Sequence, residues 1–318
     1  MTTLITGAGL IGTRAARLLL DRGEAVVLCD VRAPSALPDG AGFVTCDVTD
    51  TAGLSDVITG NGITQIVHCA AVLSTGLRAD PVKGLGVNLM GTVNVFDLAR
   101  THGIRRVVNI SSATVLYSGF GSFGPAPIEE DAPLRNLSEG PASMYALTKQ
   151  TGEHLGLLYR KLHGSDIVSL RFGAVVGGDG DAVTSVPGRL LHQLVTAARS
   201  GTPLHLDDPF LVWDGVEEFI DVRDCAAAIV AALDAQAPTT GVYNIAHPGQ
   251  HSLDSLSALL RAAYPDFKLT WPEDVRAGFA GFPHTRPAPT ATDAARAELG
   301  FAAQHDMADT LRHWYRVG

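Results

Sequence analysis

The sequence predicts an α/β fold, in which a doubly wound parallel sheet is followed by a smaller C-terminal substrate-binding lobe. Strand-like and helix-like segments alternate from residue 2 to residue 172, an order typical of parallel sheets with right-handed crossovers. A glycine-rich turn joins the first strand to the first helix, and an acidic residue ends the second strand. The alternation becomes irregular after Gly173. We therefore expect residues 1–173 to form the main domain and residues 174–318 the lobe, with the chain near 219–245 returning to the main domain.

Composition and charge narrow the classes of function. The 318-residue chain carries a net charge of −9, which disfavours nucleic acid and anionic membrane surfaces as partners. Its four cysteines are far apart, and neither they nor its histidines form a metal-ligand pattern. We expect free thiols, a reducing cytoplasmic location and no metal site. No apolar run is long enough to span a bilayer, and a strand-like run follows Met1 directly, so neither a signal peptide nor a membrane span is expected.

The first βαβ unit carries the most informative turn. Residues 2–6 predict a buried strand, residues 7–12 have the pattern GxGxxG, residues 13–22 predict a helix, and a second strand over residues 25–30 ends in Asp30. This order is typical of a Rossmann-type dinucleotide-binding unit, in which glycines let the backbone approach a pyrophosphate at a helix N-terminus. The contacts expected at this turn come from Gly7, Gly9, Leu10, Ile11 and Gly12.

Asp30 predicts NAD rather than NADP as the cofactor. A carboxylate at this point accepts hydrogen bonds from the adenosine ribose and repels a 2′-phosphate, although Arg32 lies close enough to weaken the preference. A third strand is predicted over residues 43–46, and Asp47 after it has two interpretations. It bonds the adenine amine, with Val48 against the ring, or it is a helix N-cap.

The fourth strand, predicted over residues 64–69, leads into small residues. Ala70 and Ala71 would let a cofactor lie close to the sheet. We expect His68 to be a packed residue rather than a catalytic one, because no acid or nucleophile lies near it in the sequence.

Hydroxyl side chains follow the fifth strand. That strand is predicted over residues 106–110, after an amphipathic helix over residues 84–101, and SerSerAlaThr comes next at residues 111–114. The carboxyl ends of parallel strands border the crevice in which such sheets bind ligands. A glycine- and proline-rich loop over residues 117–141 is long enough to predict a functional role.

Tyr145 and Lys149 predict the reactive centre. They open a helix that precedes a sixth strand over residues 166–172, and their four-residue spacing places both side chains on one face. The ammonium favours the phenolate, so we expect the pKa of Tyr145 to fall from about 10 toward neutrality. Such a tyrosine exchanges a proton with an alcohol or ketone near neutral pH. Taken alone, the spacing also fits a surface tyrosine packed over a lysine stem.

The second half predicts shorter elements. Asp224 is expected to cap a helix over residues 225–235. Strands are predicted over residues 203–206, 219–222, 242–245 and 267–271, and helices over residues 187–199, 253–264, 293–300 and 307–317.

As an ordered set, these motifs resemble the extended short-chain dehydrogenase/reductase family, also called the NAD-dependent epimerase/dehydratase family. The resemblance covers nearly the whole chain, and the set is far more specific than any single motif. Its members are ThrGlyAlaGlyLeuIleGly at 6–12, Asp30, Asp47-Val48, HisCysAlaAla at 68–71, Asn88, SerSerAlaThr at 111–114, Tyr145, Lys149, LeuArgPhe at 170–172, PheIleAspValArgAsp at 219–224 and ValTyrAsnIle at 242–245.

The resemblance implies a Rossmann sheet of about seven strands, NAD as the cofactor and a catalytic triad of Ser112, Tyr145 and Lys149. Tyr145 would exchange the proton, and Lys149 would hold the nicotinamide ribose and lower the pKa of Tyr145. Ser112 would bond the substrate oxygen, with Ser111 as the alternative. The further cofactor contacts that it implies come from Asp30, Asp47, Val48, Cys69, Ala70, Ala71, Asn88, Tyr145, Lys149 and Phe172.

Four departures from the family pattern bear on the substrate. The glycine turn is one residue shorter than the usual TGxxGxxG, and SerAlaThr at 112–114 replaces the Thr-Asp-Glu of dehydratases, so a sugar 4,6-dehydratase is disfavoured. Ala174 replaces an Asn, and Glu217 an Arg, that nucleotide-sugar members usually carry. An acid facing a diphosphate would repel it. We therefore expect a smaller carbinol or ketone, such as a free sugar, sugar acid, hydroxy acid or aryl alcohol.

The leading hypothesis is an NAD-dependent oxidoreductase that transfers hydride between nicotinamide and a secondary alcohol or ketone of a small substrate. The alternative is an epimerase, which returns the hydride to the other face. A non-catalytic NAD(P)-sensing regulator is disfavoured because the Ser, Tyr and Lys are all present. Arg286, Arg189 and Arg78 are candidates for binding a substrate carboxylate. The segments expected to set specificity are residues 72–83, 117–142, 174–189 and 272–290.

A homodimer is the expected assembly. Family members commonly pair through the helix that carries Tyr and Lys and the helix before it. Residues 85–100 and 145–162 have apolar residues at suitable spacing, although the same residues could pack only on the sheet.

Overall fold

The computed structural model describes residues 1–141, 143–178 and 185–317. Ala142 and residues 179–184, which belong to two of the segments predicted to set specificity, lie outside the described residues. In chain order the strands are β1 (Thr2–Thr6), β2 (Ala25–Asp30), β3 (Gly42–Thr45), β4 (Gln65–His68), β5 (Arg106–Ser112), β6 (Ile167–Phe172), β7 (Ala174–Val176), β8 (Leu204–His205), β9 (Glu217–Asp221), β10 (Val242–Ile245), β11 (Gln250–His251) and β12 (Leu269–Thr270). The helices are α1 (Leu10–Asp21), α2 (Thr51–Gly60), α3 (Ser74–Ala79), α4 (Pro81–Leu85), α5 (Gly91–Thr101), α6 (Met144–His163), α7 (Val186–Ser200), α8 (Val222–Asp234), α9 (Leu253–Ala263) and α10 (Met307–Tyr315).

Seven of these strands form one parallel sheet, in the order β10-β6-β5-β4-β1-β2-β3. β1 pairs with β2 on one side and with β4 on the other. The winding therefore reverses at β1, which opens a crevice at the carboxyl ends of the strands. The predicted Rossmann-type sheet is confirmed.

Alternate side chains of the central strands enter two separate core layers. Ile5 packs in one layer with Ala15 of α1 and Ile229 of α8. Its neighbour Leu4 packs in the other layer with Phe96 of α5. Both β1 side chains are fully buried, and each such burial stabilises the fold by about 1.5–3 kcal/mol. This two-residue period puts helices on both faces of the sheet.

The lobe has its own small sheets and core. β7, β9 and β11 form a three-stranded sheet, and β8 pairs with β12. With α7, α9 and α10 they enclose an apolar cluster that includes Leu194, Trp213, Leu256 and Leu311. Between these elements, α8 packs on α1 and β10 pairs with β6 of the large sheet. No helix among the described residues is long and apolar enough to cross a membrane.

The sequence predicted that Asp224 caps α8, and this prediction is wrong. Asp221 is the N-cap, and its Oδ1 accepts a hydrogen bond from the backbone N–H of Arg223 (2.7 Å). β9 runs into α8 without a loop, so the cap is the last strand residue. The Asp224 carboxylate instead accepts the backbone N–H groups of Gln304 (3.0 Å) and His305 (2.9 Å), which ties α8 to the segment before α10.

Two further predictions change in detail. The single helix predicted over residues 84–101 is divided into α4, a π-helical turn at Gly86–Met90 and α5. A π-turn inserts one residue and redirects the side chains around it. The loop predicted over residues 117–141 begins with a 3-10 segment, Ala113–Gly121, which packs on Phe282.

Candidate active site

The glycine turn after β1 fits a pyrophosphate. Gly7 has φ +89°, and a Cβ there would lie 2.6 Å from the amide N of Ala70, so only glycine fits. A Cβ at Gly12 would lie 2.0 Å from the oxygen of Gly7, whereas one at Gly9 would meet no atom within 4 Å. The turn is therefore closely packed at Gly7 and Gly12 and open at Gly9. Gly9 gives α1 no side-chain cap and the first turn has no acid, so no carboxylate of that turn would compete with an anion for the first N–H groups of the helix.

A cleft of about 470 Å³ extends beside this turn. Its walls include Asp30, Asp47, Val48 and Ala70. The sequence predicted each of these residues, from different motifs, to contact the cofactor. Asp30 Oδ2 accepts a hydrogen bond from the backbone N–H of Ala8 (2.8 Å), which fixes the carboxylate next to the turn. Anion site, carboxylate and apolar wall together fit the adenosine half of a dinucleotide.

Asp47 is not a helix cap. Asp50 caps α2, because its Oδ1 accepts the backbone N–H of Gly53 (3.0 Å). Asp47 Oδ1 accepts the N–H and the hydroxyl of Thr49 (2.9 and 2.8 Å). The capping interpretation of Asp47 is therefore wrong, and its contact with adenine stays a prediction.

His68 is a buried structural residue, as predicted. Its Nδ1 lies 2.7 Å from the hydroxyl oxygen of Thr6, and its Nε2 lies 3.1 Å from that of Thr92. Burial, with the nearby charge of Lys149, lowers the pKa of His68 to about 3, so the ring is neutral. Burial also raises the pKa of the adjacent Cys69 thiol to about 12. All four cysteines are free thiols, which confirms that prediction.

Asn88 lies on the π-helical turn and is bonded on both sides of its amide. Its Oδ1 accepts the backbone N–H of Val72 (2.7 Å). Its Nδ2 donates to the oxygen of Val72 (3.0 Å) and to the hydroxyl of Thr148 (3.1 Å). Asn88 thus holds the segment after β4 against α6, next to Lys149. Its predicted contact with the cofactor is not tested by these bonds.

The two adjacent serines at the end of β5 have different surroundings. The Ser111 hydroxyl is buried and donates to Glu153 Oε1 (2.5 Å). Ser112 is half-buried, and its oxygen accepts hydrogen bonds from the N–H and the hydroxyl of Thr114 (3.3 and 3.0 Å). Those bonds do not use the hydroxyl proton of Ser112. The geometry therefore favours Ser112 over Ser111 as the donor to a substrate. Phe172, buried on β6, pairs with Ser112 across the strands.

Tyr145 and Lys149 lie in the first turns of α6, which Ser143 caps by accepting the N–H of Ala146 (3.0 Å). Lys149 Nζ donates to the oxygen of Ile110 (2.7 Å) and lies 5.6 Å from the centroid of the Tyr145 ring. Burial lowers the pKa of Lys149 to about 8. Burial also raises the pKa of Tyr145 to about 12. The sequence predicted the opposite direction for Tyr145, because the pattern shows the neighbouring charge but not the depth of burial.

Sequence reasoning missed a buried ion pair beside this centre. Glu153, one turn after Lys149 on α6, binds Arg171 of β6 through Nη2 (2.8 Å). The available signal was the spacing of Tyr145, Lys149 and Glu153, which places all three side chains on one helix face.

A second buried ion pair corrects an inference about the substrate. Arg286 donates to Glu217 Oε1 from Nε (2.8 Å) and Nη2 (2.5 Å), and its Nη1 lies 3.2 Å from Glu218 Oε2. The sequence suggested that Glu217 repels a diphosphate. Glu217 instead faces Arg286, which neutralises its charge. Arg286 is equally unavailable to a substrate carboxylate. Of the other two candidates, Arg189 pairs with Asp208, and the Arg78 guanidinium lies 4.4 Å from the centroid of the Phe210 ring.

The sheet, the glycine turn and the cleft define a dinucleotide-binding protein. The sequence profile described as the NAD dependent epimerase/dehydratase family matches residues 3–246. The chain belongs to this family, and NAD is its cofactor.

Similar proteins include both epimerases and dehydrogenases. A UDP-glucose 4-epimerase of Corynebacterium glutamicum is 28% identical over 325 residues, covering 98% of this chain and 93% of its own. The GalE-like L-threonine dehydrogenase from Cupriavidus necator, in its holo form, is 26% identical with a TM-score of 0.82, covering 99% of each chain. The UDP-glucose 4-epimerase of Thermus thermophilus, in complex with NAD, is 25% identical with a TM-score of 0.79, covering 99% of this chain and 98% of its own.

Proposed function

We propose that the chain is an NAD-dependent dehydrogenase acting on a secondary alcohol, or the matching ketone, of a small polar substrate. The observation that supports it most is the 2.7 Å hydrogen bond from Lys149 Nζ to the oxygen of Ile110, which holds the helix of Tyr145 and Lys149 against the end of β5. Lys149 is bonded to Ile110, two residues before Ser112 on β5. In this proposal the phenol, the ammonium and the hydroxyl of Ser112 face the substrate at the nicotinamide end of the bound cofactor.

In this proposal each side chain handles one part of proton transfer. Tyr145 exchanges the proton with the substrate oxygen, and Ser112 donates a hydrogen bond to that oxygen. Lys149 supplies positive charge to the phenol and holds the nicotinamide ribose. NAD, when bound, supplies the hydride acceptor. Since burial raises the pKa of Tyr145 to about 12, abstraction near neutral pH requires the Lys149 charge to lie closer to the phenol than it does here.

A small substrate is favoured by the charge balance of the lobe. Arg286 is bound to two carboxylates and is not free to clamp a diphosphate. Similarity to an L-threonine dehydrogenase over 99% of the chain points to the same size of substrate. We therefore place hydroxy acids first, with L-threonine as the first compound to test, ahead of free sugars, sugar acids and aryl carbinols.

A sugar epimerase is the second candidate. It is favoured by similarity to a UDP-glucose 4-epimerase over 98% of the chain, and the same three residues would serve it. The two activities differ in the fate of the reduced cofactor, because a dehydrogenase releases NADH and an epimerase reoxidises it in place.

The deciding experiment measures NADH absorbance with purified protein, NAD and a panel of hydroxy acids, sugars, aryl carbinols and UDP-glucose. A steady rise with one compound, lost in Tyr145→Phe and kept in Tyr159→Phe, is the expected result. Tyr159 is a fair control because it lies further along the same helix, packed edge-on against Phe96. Conversion of UDP-glucose without NADH release would replace the dehydrogenase by the epimerase. Unchanged turnover in Tyr145→Phe would refute the assigned role of Tyr145 in both.

We also propose a homodimer that uses α5 and α6. α6 leaves large apolar side chains on its outer face, with exposed fractions of 49% for Leu158 and 66% for Leu162. Leu157 of α6 is exposed as well, and so is Met90, which ends the π-helical turn just before α5. Burial of such a surface against a second copy is the simplest way to remove it from water.

A further inference from the structure

Glu153 is buried beside the proposed catalytic residues and binds two strands at once. It is 1% exposed. Its Oε1 accepts hydrogen bonds from the Ser111 hydroxyl (2.5 Å) and from Arg171 Nε (2.9 Å), and its Oε2 accepts one from Arg171 Nη2 (2.8 Å). Ser111 and Arg171 are paired residues on β5 and β6. The carboxylate therefore joins α6 to both strands at a single level of the sheet.

This level lies one residue before Ser112. The next pair across β5 and β6 is Ser112 with Phe172. One helical turn earlier, Lys149 Nζ makes a second bond from α6 to β5, at the oxygen of Ile110 (2.7 Å). Two consecutive strand residues are thus tied to two consecutive turns of the helix. These ties set the position of β5, which carries Ser112, relative to α6, which carries Tyr145.

Glu153 also differs in charge from everything else that faces Lys149 among the described residues. Tyr145, on the same helix, is protonated at neutral pH because burial raises its pKa to about 12. From the β4 side, His68 and Cys69 face Lys149, and burial keeps both neutral. From β5 the contact is a backbone oxygen, and from β6 Arg171 reaches the region only through its ion pair with Glu153. Burial lowers the pKa of Lys149, and the Glu153 carboxylate, one turn further along the same face of α6, opposes that fall.

We propose that Glu153 is a positioning residue for the reaction: it holds Ser112 and Tyr145 in register through Ser111 and Arg171, and it keeps Lys149 charged. The inference rests on the proposed function for its effect on turnover. Its effect on Lys149 can be followed by cofactor binding, without any alcohol substrate.

Glu153→Gln and Ser111→Ala test the two parts separately. Glu153→Gln removes the charge and leaves Arg171 unpaired, so the pH above which NADH binding weakens should fall by about one unit. Its kcat should fall about 10- to 100-fold, with KM for the alcohol changed less than about threefold. Ser111→Ala removes only the hydrogen bond from Ser111 to Glu153, so kcat should fall about tenfold. The pH dependence of NADH binding should stay that of the wild type. Glu153→Asp keeps the charge, so NADH binding to this variant should keep the wild-type pH dependence.

Glu298→Gln is the matched control, since Glu298 is a hydrogen-bonded carboxylate outside the site. It should change neither NADH binding nor kcat. The inference is wrong if Glu153→Gln and Ser111→Ala lower only the melting temperature and leave kcat and the pH dependence as in the wild type. If Glu153→Gln does not fold, the results for Ser111→Ala and Glu153→Asp decide. A wild type that forms no NADH from any alcohol refutes the proposed function, and the NADH titration then still tests the effect on Lys149.

Discussion

Lys149 Nζ lies 5.6 Å from the centroid of the Tyr145 ring and donates a hydrogen bond to the oxygen of Ile110 (2.7 Å). In this arrangement the ammonium stabilises the end of β5 more than it stabilises a phenolate. Burial then dominates, and the pKa of Tyr145 rises to about 12. At neutral pH the phenol form therefore dominates, and this is the form that can protonate a ketone, whereas the phenolate that accepts a proton from an alcohol is scarce.

The first prediction concerns the pH dependence of the two directions. Alcohol oxidation needs the phenolate, which becomes populated as pH rises toward the pKa of Tyr145, whereas ketone reduction needs the phenol. We expect the optimum for oxidation to lie about one to two pH units above that for reduction. Initial rates of NADH formation and consumption from pH 6 to 10 provide the measurement. Coincident optima below pH 7 would contradict the proton-transfer role of Tyr145.

The second prediction concerns cofactor choice. Replacing Asp30 by Ala should weaken NADH binding about tenfold, because a charge-assisted hydrogen bond to the ribose is lost. NADPH binding should tighten, because the carboxylate that repels its 2′-phosphate is removed while Arg32 and Lys83 still line the same cleft. Fluorescence titration with both nucleotides measures the change. Asp47→Asn is the control in the same cleft, and an unchanged ratio of affinities in Asp30→Ala would show that Asp30 does not contact the ribose.

The structure also shows which features a single sequence reveals. The glycine turn, Asp30 and the Tyr145–Lys149 spacing are short-range patterns whose local geometry follows from their own residues. The choice between Asp221 and Asp224 as the cap of α8 does not, because it depends on contacts that Asp224 makes with residues 80 and 81 positions away. The burial that raises the pKa of Tyr145 likewise depends on how distant parts of the chain pack around it.

Long-range ion pairs lie beyond sequence reasoning for the same reason. Glu217 and Arg286 are 69 residues apart, and neither has a local pattern that names its partner. Glu217 taken alone suggested an acid that faces, and would repel, a substrate diphosphate. Once Arg286 is placed beside it, the charge is neutralised in the core. The argument for a small substrate depends instead on Arg286, which is bound to Glu217 and Glu218.

The third prediction tests that buried pair. Arg286→Met leaves Glu217 and Glu218 buried without a counter-charge, which should lower the free energy of unfolding by about 3–5 kcal/mol. The measurement is urea unfolding followed by circular dichroism. Arg296→Met is the control, since Arg296 and Asp293 form an exposed pair worth about 0–1 kcal/mol. Equal losses in the two variants would mean that burial of the Arg286 pair has been overestimated.

The fourth prediction concerns assembly. Leu158→Glu places a charge on the outer face of α6, where desolvation at an interface would be costly. The proposed dimer should then dissociate to monomer in light scattering at micromolar concentration, while circular dichroism is unchanged. Leu137→Glu is the control, because Leu137 is fully exposed but lies in the loop before α6. A wild type that is monomeric at the same concentration would refute the dimer.

The fifth prediction concerns stability at acid pH. Glu298 accepts hydrogen bonds from the backbone and hydroxyl groups of Thr239 and Thr240 and from the hydroxyl of Tyr243. Burial opposes the charge, but the bonds from Thr240 and Tyr243 outweigh it and lower the pKa of Glu298 to about 2. A carboxylate whose pKa is lower in the folded than in the unfolded state stabilises the fold above its ordinary pKa of 4.5. That contribution is lost as pH falls toward 2.

Glu298→Gln should therefore cost about 1–2 kcal/mol at pH 7, a value that allows for solvent screening of a half-buried group. The difference from the wild type should shrink as the pH is lowered from 4.5 toward 2, because the wild-type carboxylate becomes protonated there. Unfolding in urea at pH 7, 5 and 3 measures this. Asp56→Asn, an exposed carboxylate on α2, should show no such pH-dependent difference. A cost for Glu298→Gln that stays the same from pH 7 to pH 3 would mean that the carboxylate charge does not hold Thr239, Thr240 and Tyr243 in place.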